Sequence, residues 1–325
     1  MNNRRKICFF HRTDLDGHCS GAIIKLRYPE TELIGIDYAD KYTAQKLIQK
    51  YNIDKTVEIF MVDFSLHPFS EMVELIKNAS KFTWCDHHKT ALEAYKEWIT
   101  SHDVSSQGHL FFPHIDDKRA GCELTWTAVF PRFDQAMPPY VRLLGRYDVW
   151  DHEDKAVVPF QYAMRSYETN PQFLDWQSRE ENIWQRIYRD YTINGDLYFN
   201  LINIGNTLLD YIKKDNKGLS ESSHFICHIG DLRCVAVNKL GGNSQVFDAI
   251  WDGNFYDAMV IFGFNGKVWR FSIFTSKNID VSAVAKKLGG GGHAKAAGWT
   301  CDSLPFIEIG ETSVGRKIYQ IPLPT

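Results

Sequence analysis

The sequence predicts an α/β protein with a parallel-sheet N-terminal domain, a helical connector and a smaller α/β C-terminal domain. First, apolar runs alternate with amphipathic stretches over about 100 residues, the usual pattern of a parallel sheet with crossover helices. Second, Trp, Tyr, Gln and charged residues recur at helical spacing after residue 159. Third, β-rich runs return near residue 224. We therefore expect domains at residues 1–158 and 219–325, joined by a connector at 159–218.

The apolar runs define the expected elements of the first domain. Strands are predicted at residues 6–10, 33–37, 57–62 and 81–85, and helices at residues 20–28, 43–51, 68–78, 90–98, 121–130 and 138–147. His114 is expected in a polar loop, and the stretch DNKGLSES at 215–222 is expected to be a linker. Because ligands of such sheets bind beyond the carboxyl ends of the strands, polar residues at those ends are candidates for the site.

Composition limits the functions that the chain can have. The 325 residues are 44% hydrophobic and 14% aromatic, with a formal charge of −3. This balance argues against tracking along long nucleic acids, but it permits a small anionic substrate met by local cations. The seven cysteines form no Cys-x-x-Cys pair, and no run approaches the length of a membrane span. We expect a cytoplasmic protein with no membrane partner, and a homodimer is an open alternative.

The first candidate motif is HRTDLDGHCSG at residues 11–21, which follows a predicted strand. Alternating Asp14 and Asp16 in a sharp turn at Gly17 can face two different metal ions, and a helix is expected to begin at Ser20. His11 is a further candidate ligand. The alternative is an ordinary Asp-Gly turn with a helix cap.

Two further motifs follow the third and fourth predicted strands. Asp63 could ligate a metal or cap the next helix. In the triplet Asp86-His87-His88, His87 can ligate a metal through its neutral imidazole, Asp86 can orient that imidazole, and His88 can reach a phosphate. The alternative interpretation is a pair of surface histidines.

Asp148, in the aromatic segment GRYDVWDH, is the last candidate ligand of the first domain, and Asp151 competes with it. Carboxylates and imidazoles are costly to gather at strand ends unless a positive charge neutralises them. A pair of divalent ions does so while it polarises a phosphate. The motifs therefore predict a two-metal phosphoester hydrolase.

In the C-terminal half, the run Gly289-Gly290-Gly291-Gly292-His293 is the most specific feature. Such glycines can leave backbone N–H groups free to approach an anion, and the small residues that follow are expected to start a helix. The alternative is a flexible linker. Asn243 and Ser244 are a second, weaker candidate for phosphate contacts.

With these motifs the chain resembles the DHH phosphoesterase family, whose signature is a triplet of the type Asp86-His87-His88. The C-terminal region resembles the DHH-associated domain, whose Gly-Gly-Gly-His and Ala-Ala-Gly signatures are matched at residues 290–293 and 296–298. The resemblance covers essentially all of the chain except the connector.

This resemblance implies a role for each candidate residue. Asp63 would bridge the metals, Asp14 would serve one metal, and His88 would lie near the substrate phosphate. The other metal would be served by Asp16, His87 and Asp148. The metals would typically be Mn²⁺, with Mg²⁺ or Co²⁺ as alternatives. The glycine run and His293 would bind the far end of the substrate.

The chain departs from the family pattern at two places. His11 stands three residues before Asp14, where many members have a histidine two or four residues before it. The residues at 272–276, SIFTS, stand where several relatives carry Ser-x-Arg-Ser. Phosphate binding would then fall to Arg270 or Lys277.

Family members of similar size that share the Asp-Leu-Asp-Gly motif degrade very short RNA, or linear or cyclic dinucleotides. The resemblance therefore implies hydrolysis of such substrates to mononucleotides. One alternative keeps the chemistry and takes polyphosphate or pyrophosphate. A second alternative is an inactive nucleotide-binding sensor, which a full set of metal ligands disfavours.

Overall fold

The computed structural model describes residues 4–101, 111–130, 136–193 and 195–324, which fall into two units, Met1–Leu208 and Leu209–Thr325. The sheet strands and the interleaved helices of the first unit are, in chain order, β1 (Lys6–His11), α1 (Leu15–Arg27), β2 (Glu32–Ile36), α2 (Ala44–Tyr51), β3 (Glu58–Val62), α3 (Phe69–Asn78), β4 (Lys81–Asp86), α4 (Lys89–Ser101) and β5 (Phe111–Ile115). Further helices are α5 (Gly121–Val129), α6 (Pro139–Asp148), α7 (Val157–Met164) and α8 (Ile183–Thr192).

The five strands form one parallel sheet in the order β2-β1-β3-β4-β5. The predicted α/β fold class is therefore confirmed, and the four predicted strands lie within a residue or so of their expected bounds. β3 is buried along its whole length, as a central strand covered on both faces must be. Two separate cores cover the faces, one containing Phe10 and Phe60 and the other Phe9 and Met61.

Two details of this unit correct the predictions. The helix expected from Ser20 begins at Leu15, because the carboxylate of Asp14 accepts a hydrogen bond from the backbone N–H of Gly17 at 2.9 Å and so caps the helix. β5 was not predicted at all. It contains His114, which therefore lies in a strand and not in the expected polar loop.

Helix α9 (Leu197–Ser223) contradicts the linker predicted at residues 215–222. The polar side chains that favour a turn in isolation are accommodated within the helix. The Ser222 hydroxyl donates to the carbonyl of Gly218 at 2.7 Å, and buried Asn216 accepts a hydrogen bond from Lys239 at 2.7 Å. Residues 159–208 of the predicted connector belong to the first unit, and 209–218 to the second.

The second unit is built on an eight-stranded mixed sheet in the order β10-β11-β9-β8-β7-β6-β13-β12. Its elements are β6 (Phe225–Ile229), β7 (Leu232–Asn238), β8 (Ala258–Phe264), β9 (Trp269–Phe274), α10 (Val281–Lys287), β10 (Gly291–His293), β11 (Ala296–Cys301), β12 (Ile307–Glu311) and β13 (Lys317–Ile321). The helix expected after the glycine run is absent at that position. β10 and β11 form an antiparallel hairpin there, in which Gly291 pairs with Gly298, and α10 precedes the glycines.

All seven cysteines lie in the described ranges and are free thiols, and six of them are buried. Burial raises the pKa of the Cys8 and Cys85 thiols. Within the described ranges, no helix combines the length and apolar character needed to cross a membrane.

Candidate active site

The candidate site lies at the carboxyl edge of the parallel sheet, where β1 and β3 are neighbours and the strand order reverses. His11 is the last residue of β1, Asp63 follows β3, and Asp86 is the last residue of β4. Crossover connections leave opposite sides of the sheet at such a point and open a crevice above it. The topology thus brings residues far apart in sequence to one place.

Asp63 lies between two groups of potential metal ligands. Its Oδ2 is 3.6 Å from Nδ1 of His11, which is 2.9 Å from Oδ2 of Asp14. Its Oδ1 is 3.3 Å from Nε2 of His87. The same His87 nitrogen lies 3.2 Å from Oδ2 of Asp148 and 3.6 Å from Oδ2 of Asp16. Each oxygen of Asp63 therefore faces a different group, as a bridging carboxylate requires.

The ligand atoms within each group are close enough to hold one ion. In the three-residue sets His11/Asp14/Asp63 and Asp16/His87/Asp148, they lie within 4.8 Å of one another. Yet Nδ1 of His11 and Oδ1 of Asp63 are buried and have no aligned hydrogen-bond partner among the described residues. Buried polar atoms without partners are rare unless an ion or water satisfies them. Imidazole and carboxylate ligands suit divalent first-row metals, so these residues fit a metal centre.

The carboxylates of the site would repel one another without a cation. Burial raises the pKa of Asp16 well above its usual range, and the negative charges of Asp63 and Asp148 add to the effect. Burial and the charge of Asp63 raise the pKa of Asp148 to about 6. For Asp63, burial acts in the same direction, but the imidazoles of His11 and His87 outweigh it and hold its pKa below the usual range. A positive charge at this point would stabilise all three ionised groups.

The neighbouring carboxylates raise the pKa values of two histidines of the site. Burial alone would lower the pKa of His11, but Asp14 and Asp63 raise it to about 10. Likewise, Asp86 and Asp63 overcome burial and raise the pKa of His88 to about 9. Without metal, these imidazoles are therefore protonated at neutral pH, and a metal ion that binds His11 must displace a proton.

Backbone geometry fixes the two buried aspartates. Asp63 has a φ of 54°, in the left-handed region that few non-glycine residues occupy, and its N–H donates to the carbonyl of Cys85 at 2.7 Å. Asp16 accepts hydrogen bonds from the backbone N–H groups of Gly121 at 2.8 Å and Cys122 at 2.7 Å, at the start of α5. The positive end of that helix favours the negative charge of Asp16.

Gly121 is required at its position by its closeness to Asp63. A Cβ atom at Gly121 would lie 2.6 Å from Cβ of Asp63 and 2.8 Å from Oδ1. Any side chain here would push the central carboxylate away. The sequence alone does not reveal this role, because nothing in the local pattern of α5 distinguishes Gly121 from an ordinary first residue of a helix.

Asp86 positions His88, whereas we expected it to orient His87. Its Oδ1 lies 2.7 Å from Nδ1 of His88 and accepts the backbone N–H of His88 at 3.0 Å. The reason is the turn after β4, which folds the chain back so that the residue two positions on meets the carboxylate. Asp86 is fully buried, and its other oxygen, Oδ2, has no hydrogen-bond partner in the described part of the chain.

Asp148 and Asp151 were competing candidates, and the geometry separates them. Asp148 ends α6 and reaches His87. Asp151 instead pairs with Arg146, whose Nε lies 3.1 Å from its Oδ2. Of the two, only Asp148 therefore belongs to one of the described groups of potential metal ligands.

Tyr38 was not singled out by the sequence analysis, although it borders the site. Its ring stacks on Phe64 at 4.4 Å and lies 5.7 Å from the ring of His11 and 6.1 Å from that of His88. It stands in a short 3-10 helix, Tyr38–Asp40, after β2. Its position after a strand of the sheet was the available signal.

Only some of the residues of the second unit that were predicted to bind the substrate line one cleft. Arg270 and Gly290 line a cleft of about 600 Å³ together with Lys239 and Gly289. No carboxylate of the described residues pairs with Arg270. His293 lies on β10, exposed, and is not among the residues that line this cleft.

Some of the groups predicted to bind an anion make hydrogen bonds within the described residues. The N–H groups of Gly289 and Gly290 donate to the carbonyls of Lys286 at 3.1 Å and Ala285 at 2.8 Å, so they are already used to end α10. Asn243 caps the 3-10 helix Ser244–Phe247 by accepting a hydrogen bond from the N–H of Gln245. Neither Asn243 nor Ser244 lines the cleft. Lys277 pairs with Asp257 at 2.7 Å.

Comparison with known proteins finds two distant relatives, and no family model matches the chain. Uncharacterized protein R106 of Acanthamoeba polyphaga mimivirus is 24% identical over 332 residues, which cover 93% of this chain and 70% of the relative. Oligoribonuclease NrnB of Bacillus subtilis (strain 168) is 24% identical over 315 residues, which cover 89% of this chain and 71% of the relative. Among solved structures, the pGpG-specific phosphodiesterase PggH of Vibrio cholerae matches with a TM-score of 0.46 and 13% identity, covering 92% of this chain and 93% of that one.

Adjoining groups of carboxylates and imidazoles at the edge of a parallel sheet are suited to hold metal ions against a phosphate. The triplet Asp86-His87-His88, on which the resemblance to the DHH phosphoesterase family depends, contributes His87 to one of these groups.

Proposed function

We propose that the protein hydrolyses very short oligoribonucleotides or dinucleotides to mononucleotides, with two Mn²⁺ ions in its first unit. The observation that carries this proposal is the placement of Asp63, whose two oxygens face separate groups of ligands at 3.6 Å and 3.3 Å. A carboxylate shared in this way supports two ions side by side. Two such ions, when bound, would neutralise charge on the attacking and leaving oxygens of a phosphodiester.

The residues of each group have distinct tasks in this proposal. His11 and Asp14 hold one ion, and Asp16, His87 and Asp148 hold the other. The hydrogen bonds that Asp16 accepts from α5 keep its side chain in one orientation. A ligand set held in place before the substrate arrives needs no reorganisation during the reaction.

His88 is the proposed contact to the substrate phosphate. Asp86 fixes it through Nδ1, which leaves Nε2 as the ring nitrogen available to the substrate. The His88 side chain is 33% exposed, whereas that of Asp63 is 1% exposed, so His88 is the more accessible of the two to a ligand. A protonated Nε2 can donate a hydrogen bond to a phosphate oxygen or to the leaving oxygen.

A nucleotide substrate is supported by two observations. A relative that covers most of this chain carries the name oligoribonuclease. Arg270 lines a cleft in the second unit and has no carboxylate partner among the described residues, which suits a phosphate of the substrate. The overall charge of −3 disfavours long nucleic acids, so we propose a substrate of a few nucleotides.

A hydrolysis panel with Mn²⁺ tests this proposal. The substrates are 5′-phosphorylated di- to pentanucleotide RNA, a cyclic dinucleotide, 3′-phosphoadenosine 5′-phosphate and polyphosphate, with products separated by chromatography. We expect mononucleotides from the dinucleotide and the short RNAs. Release of phosphate from polyphosphate alone would instead establish the inorganic substrate, and turnover of none would refute the proposal.

A further inference from the structure

Trp150 is the most exposed large aromatic side chain near the candidate site, and its backbone is strained. It is 84% exposed and has a φ of 61°. A bulky residue in the left-handed region is a genuine outlier, and such outliers cluster at functional sites. An indole left in water also forgoes the stabilisation that burial would give it. Neither feature helps the fold, so they call for another explanation.

The turn that carries Trp150 is held firmly beside the site. The backbone N–H of Trp150 donates to the carbonyl of Tyr147 at 3.3 Å. The backbone N–H of Asp151 donates to the carbonyl of Arg146 at 2.9 Å. Arg146 also pairs with the carboxylate of Asp151 at 3.1 Å. Trp150 follows Asp148 by two residues, and Asp148 reaches His87 at 3.2 Å. The backbone of Trp150 is therefore held two residues along the chain from a proposed metal ligand.

One face of Trp150 is supported by a column of other rings. The ring of His152 stacks on Trp150 at 5.6 Å with an interplanar angle of 30°, and on Tyr147 at 5.0 Å with an angle of 27°. The guanidinium of Arg165 lies 5.5 Å from the Tyr147 ring centroid. These stacked rings hold the indole in one orientation and leave most of its surface open to a further ring.

We propose that Trp150 is a stacking platform for a nucleobase of the substrate whose phosphate lies at the metal centre. This inference rests on the proposed function. An aromatic face accepts any base, because every base has a π-face, and it binds without a sequence preference. A ring held rigidly beforehand loses little freedom on binding. Trp150 would thus select nucleotides over phosphoesters that carry no base.

Substitution at Trp150 tests this in the 325-residue chain with Mn²⁺. The substrates are the dinucleotide pApA and its counterpart in which both bases are replaced by hydrogen. We expect Trp150→Ala to raise KM for pApA about tenfold, as the loss of one stacked base does, and to leave the abasic compound unchanged. Trp150→Phe keeps an aromatic face and should stay within about threefold of wild type. The control Phe173→Ala removes another exposed ring, 71% exposed, and should change neither.

Equal losses on both substrates, or no loss with Trp150→Ala, would overturn the inference. A binding measurement decides the matter even if the protein cleaves no dinucleotide, which would refute the proposed function alone. AMP should quench a component of the intrinsic fluorescence that Trp150→Phe lacks, and ribose 5-phosphate should not. Quenching that is the same in wild type and Trp150→Phe would show that Trp150 does not contact the base.

Discussion

Asp86 and His88 form the tightest side-chain pair of the candidate site, with Oδ1 of Asp86 2.7 Å from Nδ1 of His88. The same oxygen accepts the backbone N–H of His88 at 3.0 Å. One buried carboxylate therefore fixes both the ring and the main chain of the residue proposed to touch the phosphate. This arrangement assigns to Asp86 a positioning role that no metal ligand in the site duplicates.

Asp86→Asn tests whether Asp86 positions the ring of His88 or only supports the fold. Because Asp86 is the main source of the raised pKa of His88, its loss should lower that pKa from about 9 toward the ordinary 6.5 in metal-free protein. An NMR titration of the His88 ring measures this shift. The Mn²⁺-supplemented kcat should fall about tenfold or more, with KM little changed. An unchanged His88 titration would contradict the positioning role, even if activity fell.

Gly121→Ala should damage the site through Asp63. The added Cβ would lie 2.6 Å from Cβ of Asp63, so the carboxylate must move and activity should fall at least tenfold. Gly218→Ala in α9 is the matched control, because its Cβ would meet nothing within 4 Å. Alanine in a helix interior should then raise stability by about 0.5–1 kcal/mol, which thermal unfolding measures. Full activity in Gly121→Ala would show that Asp63 tolerates displacement.

His11→Ala should weaken metal binding at one group only. Its Nδ1 lies 2.9 Å from Oδ2 of Asp14 and 3.6 Å from Oδ2 of Asp63, so its loss removes a candidate ligand from this group. We expect the Mn²⁺ concentration for half-maximal activity to rise about tenfold or more, and activity to recover partly at high Mn²⁺ by mass action. His114→Ala, which lies outside the described ligand groups, should leave the Mn²⁺ dependence unchanged. Full activity of His11→Ala at low Mn²⁺ would exclude His11 as a ligand.

Arg270→Ala should discriminate between substrates. If Arg270 binds a phosphate remote from the reaction, its loss should reduce kcat/KM about tenfold for pApA and little for bis-p-nitrophenyl phosphate, which carries no second phosphate. We expect the same selective loss with His293→Ala. Lys267→Ala removes an exposed cation that does not line the cleft and should have no effect. Equal losses on both substrates would place Arg270 in the chemical step.

The sequence predicted the central strands well because burial on both faces makes them continuous apolar runs. β3, with the sequence EIFMV, is buried at all five positions. β5, FFPHI, is partly exposed and contains Pro113 and His114, so its pattern resembles a loop. The linker prediction at residues 215–222 was wrong because local preference did not decide the structure there. The Asp, Asn and Gly residues of this segment have low helix propensity, but contacts such as that of Asn216 with Lys239 override a weak local preference.

The site was predictable only where a residue type carries the chemistry. Asp14, Asp63 and His87 were found because polar side chains directly follow apolar strands. Gly121 acts through a backbone N–H and through the absence of a side chain, which only the packing of α5 against β3 reveals. For the same reason, the glycine run looked available to an anion, although Gly290 ends α10.

The rate of pApA hydrolysis by Asp63→Asn, compared with wild type over a range of Mn²⁺ concentrations, tests the central claim most directly. Asn keeps the size of the side chain but offers one oxygen, so it cannot serve both ligand groups. The wild type should release AMP, and the variant, folded as judged by circular dichroism, should show only background hydrolysis at every Mn²⁺ concentration. Near wild-type release of AMP by Asp63→Asn would contradict the account of a shared carboxylate.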